Sequence, residues 1–187
     1  MAKSKLTELR PVGHITTDAI GPAGKRVFYI QAWKDDRTVT LICEKTQIQS
    51  LAVGVEQFLA DVNTKFADLP DASADYDEDQ MHVHPPVEPL FRVGQLGLGY
   101  DPDADLVALE LRELAEGQVA EGEIAERQTR APEDLAIVRL WCTRSQLRAL
   151  ANWGLEIAAR GRPLCPQCGQ PMDPAGHFCA RKNGHKH

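Results

Sequence analysis

Long apolar runs are missing from the 187 residues. No uninterrupted hydrophobic stretch approaches the roughly 20 residues a helix needs to cross a bilayer, and Met1 to Glu8 lacks the apolar centre of a secretory signal. The expectation is a cytoplasmic protein. Positive charge is in deficit as well, with 21 Lys and Arg against 27 Asp and Glu and a formal net charge of -6. Any contact with nucleic acid or an anionic membrane would therefore need a local basic patch. An even set of cysteines is also absent. There are five, and Cys165, Cys168 and Cys179 crowd the end of the chain, which suits a metal site in a reducing compartment better than a disulfide framework.

The sequence does contain 43% hydrophobic residues, enough to bury the core of one full domain with a small appendage. Laying Val39 to Ala52 over Val138 to Ala151 at a constant offset of 99 gives 6 identities in 14 positions. Both segments switch from alternation to a helical period at the same place. After Cys43, the residues Ile48, Leu51, Ala52, Val55, Phe58, Leu59 and Val62 mark one helix face, and Leu147, Leu150, Ala151, Gly154, Ile157 and Ala158 mark another. Thr46 with Gln49, or Thr143 with Gln146, would close a capping box.

Upstream, His14 to Ile20, Arg26 to Trp33 and Thr38 to Cys43 read as strands separated by turn residues. Phe91 to Tyr100, Leu106 to Leu114 and Leu135 to Cys142 read as three more. The expected fold class is α+β: a duplicated βββα repeat with an antiparallel sheet and two helices on one face, plus a small C-terminal zinc knuckle. The repeats span about 14–66 and 91–161 within a domain of residues 1–161. Residues 67–90, rich in acids and prolines and containing His82 and His84, read as an exposed linker. Residues 116–134 read as a mobile loop, and 162–187 as the knuckle with a basic tail.

In the tail, Cys165-Pro-Gln-Cys168-Gly brings two thiolates about 3.5 to 4 Å apart around one tetrahedral ion, and His177-Phe-Cys179 closes the site. Zinc at a structural site takes four N or S ligands, so Cys165, Cys168, His177 and Cys179 form a complete set. A thioredoxin-like redox pair would open a helix, whereas Pro171 and Pro174 follow here. His177 and Cys179 would point to opposite faces of a regular strand, so His185 or His187 stands as an alternative fourth ligand.

Other candidates carry weaker signals. Cys43 and Cys142 sit where a strand meets a helix and read as packing residues rather than nucleophiles. His82 and His84 read as solvated linker residues before metal ligands. Gly94-Gln-Leu-Gly97-Leu-Gly99 lies in a strand pattern with no helix after it, unlike a phosphate loop. Arg181, Lys182 and Lys186 make the end of the chain locally basic and are the candidate contacts for nucleic acid or an acidic partner.

The chain resembles an uncharacterised bacterial family, the domain of unknown function 3090. The resemblance rests on Gly21 to Ala32, on Phe91 to Asp101, and above all on Cys165 to Cys179 followed by Arg181 and Asn183-Gly184. It implies the ligand set Cys165, Cys168, His177 and Cys179 and brings no activity. The sequence departs from the family pattern at Ala180 and at His185-Lys-His187, both outside that set.

The leading functional expectation is a non-enzymatic adaptor that binds an unidentified protein partner, because no nucleophile, base and orienter set gathers at any motif. A nucleic-acid-associated factor of repair or RNA handling is the first alternative. A hydrolase or transferase with His14, Asp18 and Asp101 in a cleft between the repeats is the second.

Overall fold

Glycines and left-handed aspartates cut the apolar runs into strands. Gly21 and Gly24 have φ of 118° and 86°, and Asp35 and Asp105 have φ of 54° and 47°, conformations that Gly and Asp adopt at least cost. A computed structural model describes residues 6–115, 135–163, 165–169, 172 and 179. Among them the chain forms β1 (Leu6–Leu9), β2 (His14–Ile20), β3 (Val27–Lys34), β4 (Arg37–Cys43) and α1 (Lys45–Lys65). There follow β5 (Pro89–Asp101), β6 (Leu106–Glu113), β7 (Ile137–Cys142) and α2 (Arg144–Ala159). No described helix is long and apolar enough to cross a membrane.

The strands form one seven-stranded sheet in the order β1-β7-β6-β5-β4-β3-β2. The expected purely antiparallel sheet is corrected here: β1 pairs parallel with β7, and β4 pairs parallel with β5. The β4/β5 pair is parallel because α1 and residues 66–88 carry the chain back before β5 begins, whereas β1, beside β7, comes from before β2. The four-residue β1 is too short to show a period of two and was not foreseen.

The ladders of the two halves share one register. Thr17 faces Ile30 as Leu98 faces Leu109, Ile30 faces Leu41 as Leu109 faces Leu140, and Glu8 faces Arg139 as Pro89 faces Thr40. The broken stretch β1–β2 thus occupies in one half the place that the single long β5 occupies in the other. Between β1 and β2, Val12 N donates to Trp141 O and Gly13 N to Trp33 O, both at 2.8 Å. The stretch 6–20 therefore bonds to both flanks of the sheet.

Alternate strand residues (Ile30, Leu41, Leu109 and Leu140, all 0% exposed) join the buried faces of α1 and α2 in a single core. Each such side chain contributes roughly 1.5–3 kcal/mol on burial. The helices cross closely at Gly154, where a Cβ would lie 2.8 Å from Ile48 Cγ2. The α2 cap is the expected one, with Gln146 N donating to Thr143 Oγ1 at 3.1 Å and Thr143 N to Gln146 Oε1 at 3.0 Å. At α1 the reciprocal bond comes two residues earlier than the expected Thr46–Gln49 pair, from Glu44 N to Gln47 Oε1 at 2.8 Å.

Residues 67–88 are largely exposed, as expected of the linker, but they are pinned to the domain at several points and form a strap across it. Arg144 and Arg148 each donate to it, at Pro70 O and Ala72 O, both at 2.7 Å, and Ser73 N donates to Ser145 Oγ at 2.9 Å. Tyr76 and His82 pack edge-on to Trp153, with centroids 5.7 and 5.4 Å away. The Thr16 hydroxyl donates to Met81 O, and Gln31 exchanges bonds with the His84 backbone at 2.8 and 3.0 Å. Ala72 and Met81 of the strap are themselves buried against the domain. The strap's acids obscure these anchors because their partners lie far away in sequence.

Candidate metal centre

α2 ends at Ala159, and Arg160 to Pro163 lead into the cysteine segment beside the start of α1. Arg26 Nη1 donates to Ile157 O at 2.9 Å, and a Cβ at Gly161 would lie 2.9 Å from Arg26 Nη2 and 3.6 Å from Lys45 Nζ. The segment is thus tethered to the β2–β3 turn and to the first residue of α1.

Cys165 to Gly169 form a tight turn closed by Gly169 N donating to Cys165 O at 2.8 Å, with Gly169 at φ 71°. A side chain would strain that left-handed position. Met172 N returns to Pro163 O at 2.8 Å, folding the segment back on its stem.

The turn aims Cys165 and Cys168 at the same point, and Cys179 joins them. The three Sγ atoms lie within 4.8 Å of one another, and Cys165 and Cys179 Sγ are 3.9 Å apart. That spacing is far beyond the roughly 2.05 Å of a disulfide. It is close to the roughly 3.7 Å edge of a tetrahedron with metal–sulfur bonds near 2.3 Å.

The electrostatics suit thiolate ligands. The backbone N–H groups of Cys168 and Gln167 lower the Cys165 pKa to about 6 against the opposing effect of desolvation, so the sulfur is largely anionic at neutral pH. Cys165 and Cys179 are buried and Cys168 is half-buried, which leaves little room for a substrate at the sulfur atoms. Three thiolates of this geometry can bind a metal ion.

His177, Arg181, Lys182, Lys186, His185 and His187 lie outside the described residues. The remaining candidates disperse. Cys43 and Cys142 are 2% and 0% exposed, and burial pushes both thiols up to about 12, so neither is a nucleophile at neutral pH.

His14 stacks on Trp33 with centroids 4.5 Å apart. Asp18 meets His82 Nδ1 at 3.0 Å, and Asp101 pairs with Arg10. The three residues of the cleft reading therefore serve three separate contacts. His82 and His84 are held by the strap's own packing, since the His84 ring lies 4.8 Å from that of Trp33. Gly94 sits at a bulge where a Cβ would meet Leu114 Cα at 2.8 Å, and Gly97 and Gly99 lie within β5, so the glycine run is a strand and not a phosphate loop.

Comparison with curated proteins finds no match, and comparison with solved structures finds none. A family model, by contrast, covers nearly all the described chain. Its match over residues 7–179 takes in the sheet, both helices and the cysteine turn, and the chain belongs to the family described as protein of unknown function (DUF3090).

Proposed function

We propose that Cys165, Cys168 and Cys179, with His177 as the fourth ligand, hold one structural zinc ion, and that the protein is a non-enzymatic adaptor. The observation that carries this reading is the convergence of three Sγ atoms within 4.8 Å on a turn whose N–H groups favour thiolate. Four protein ligands leave no open position for water, so the ion's task is to hold the shape of the segment. The dispersal of His14, Asp18 and Asp101 and the raised thiols of Cys43 and Cys142 argue in the same direction.

The common ladder register and the six identities at an offset of 99 support a tandem duplication as the origin of the domain. An adaptor would use the zinc segment to fix one surface and the paired halves to present another. The nucleic-acid reading rests on Arg181, Lys182 and Lys186 alone, beside a net charge of -6.

Elemental analysis of untagged protein tests the site: the expected result is close to one zinc per chain, abolished in Cys165→Ser/Cys168→Ser. Near-zero metal in a folded protein refutes it. Co-purification from native lysate tests the adaptor. Recovery of nucleic acid that is lost on deleting residues 180–187 would replace the adaptor by the alternative.

A further inference from the structure

The two halves of the domain each form a groove between a helix and a neighbouring strand, and among the described residues only one of the two is covered by another segment of the chain. In the second half the groove lies between α2 and β2. Residues 75–82 of the strap run along it, Met81 is buried there, and Ile15, Thr16 and Thr17 on its floor are at most 2% exposed. Trp153 forms its wall, fully buried, and its indole Nε1 donates to Thr17 O at 2.8 Å. Tyr76 and His82 of the strap close over that indole.

The corresponding groove lies between α1 and β5. The ladder register places Leu96, Gly97 and Leu98 where the other floor has Ile15, Thr16 and Thr17. The offset of 99 places Gly54 where the other wall has Trp153. No described segment crosses this groove. It is open, with a volume of about 440 Å³, and Leu96, Leu98 and Phe58 are only partly buried.

A Cβ at Gly54 would meet nothing within 4 Å, and neither would one at Gly97. Packing among the described residues therefore does not require glycine at either position, although glycine in a helix or strand interior is unfavourable. What the glycines do is keep a notch open opposite Leu98. No side chain of α1 at that position offers Leu98 the donor that Trp153 gives Thr17.

We propose that the α1/β5 groove binds a peptide segment of a partner protein through one large aromatic side chain. The side chain enters the notch above Gly54 and supplies in trans what Trp153 supplies within the chain. The occupant's chemistry follows from the covered groove, where the same strand and helix positions are spanned by a strap segment with a short helical turn at Glu78–Gln80, packed on the indole of Trp153 from α2. Asp61 is the charged group lining the open groove, and it favours a basic residue beside the aromatic one. This deepens the adaptor reading and rests on it, while requiring nothing of the zinc segment.

The test is titration of the ¹⁵N-labelled full chain with the blocked peptide acetyl-Lys-Ala-Trp-Ala-Lys-amide, alongside the same peptide with Ala in place of Trp. Saturable shifts at the amides of Gly54, Gly97 and Leu98 are expected, with affinity at least about tenfold weaker for the Ala peptide, a factor that corresponds to about 1.4 kcal/mol. Gly54→Trp should fold and lose the binding, because its own ring fills the notch. Absence of shifts at millimolar Trp peptide overturns the proposal, as does equal binding by Gly54→Trp. So does a shift of the same three amides on deleting residues 180–187 without peptide, which would make the chain's own end the occupant. Zinc content is measured separately, so a zinc-loaded chain with a silent groove fails this inference alone.

Discussion

Arg144 grips both carboxylate oxygens of Asp105, with Nε 2.8 Å from Oδ1 and Nη2 3.2 Å from Oδ2, while its Nη1 donates to Pro70 O at 2.7 Å. One guanidinium thereby ties the first turn of α2 to the β5–β6 turn and to the strap. It is 5% exposed, so truncation leaves the Pro70 carbonyl without this donor and Asp105 with the Tyr100 hydroxyl but no counter-charge from α2. Arg144→Met should cost about 1–3 kcal/mol in urea unfolding. Arg144→Lys should recover little, because an ammonium cannot make the forked contact. Wild-type midpoints for both variants would show the contact to be ornamental.

Acid should destabilise the fold in two stages. Desolvation lowers the pKa of His14 from 6.5 despite the Gln80 carbonyl, with a smaller lowering from His84. The unfolded chain therefore takes up this proton first, and the contribution of neutral His14 is lost as pH falls below about 6.5. The carboxyls of Asp105 and Glu110 are held below their ordinary 3.8 and 4.5 by Arg144 and by Arg139 with Arg112. Their contribution is present above those values and fades as pH falls through the lowered ones. His14→Phe, which can still stack on Trp33, should flatten the first stage of a stability–pH curve and leave the second.

Two helix glycines should respond oppositely to the same change. Gly154→Ala puts a methyl 2.8 Å from Ile48 Cγ2 at a closely packed crossing and should cost about 1–3 kcal/mol. Gly54→Ala meets open space and should gain about 0.5–1 kcal/mol from helix propensity. Thermal unfolding of the two variants distinguishes them by sign. A loss at Gly54 would mean that the chain itself uses the open notch.

Six of the seven strands and both helices were legible because their residues carry a local period: alternation in Val27–Lys34 and Ile137–Cys142, and a 3.6-residue stripe from Ile48 to Val62. The cysteine cluster was legible because Cys165, Cys168 and Cys179 are close in sequence and the turn between the first two is local. The parallel pairs were not, since the partners Glu8 and Arg139 share no local signal. The strap's anchors were hidden for the same reason: Met81 reads as a residue in an acidic loop, yet it is buried and its carbonyl accepts from the distant Thr16 hydroxyl. The offset of 99 already paired Gly54 with Trp153, but only the ladder shows that both face a groove.

The five cysteines should separate into two chemical classes. Cys43 and Cys142 are buried, with thiols pushed up to about 12, so they present almost no thiolate at pH 7.5 and no path to it. Cys165, Cys168 and Cys179 form a cysteine cluster that a bound ion would shield and a chelator would expose. Iodoacetamide at pH 7.5, read by intact-mass spectrometry, should add at most slowly to the native chain. After incubation with a chelator it should add three groups, mapped to the terminal cysteines, and five only in denaturant. Three rapid additions before chelation would mean that the cluster holds no metal as purified, and rapid modification of Cys43 or Cys142 in the folded chain would contradict their burial.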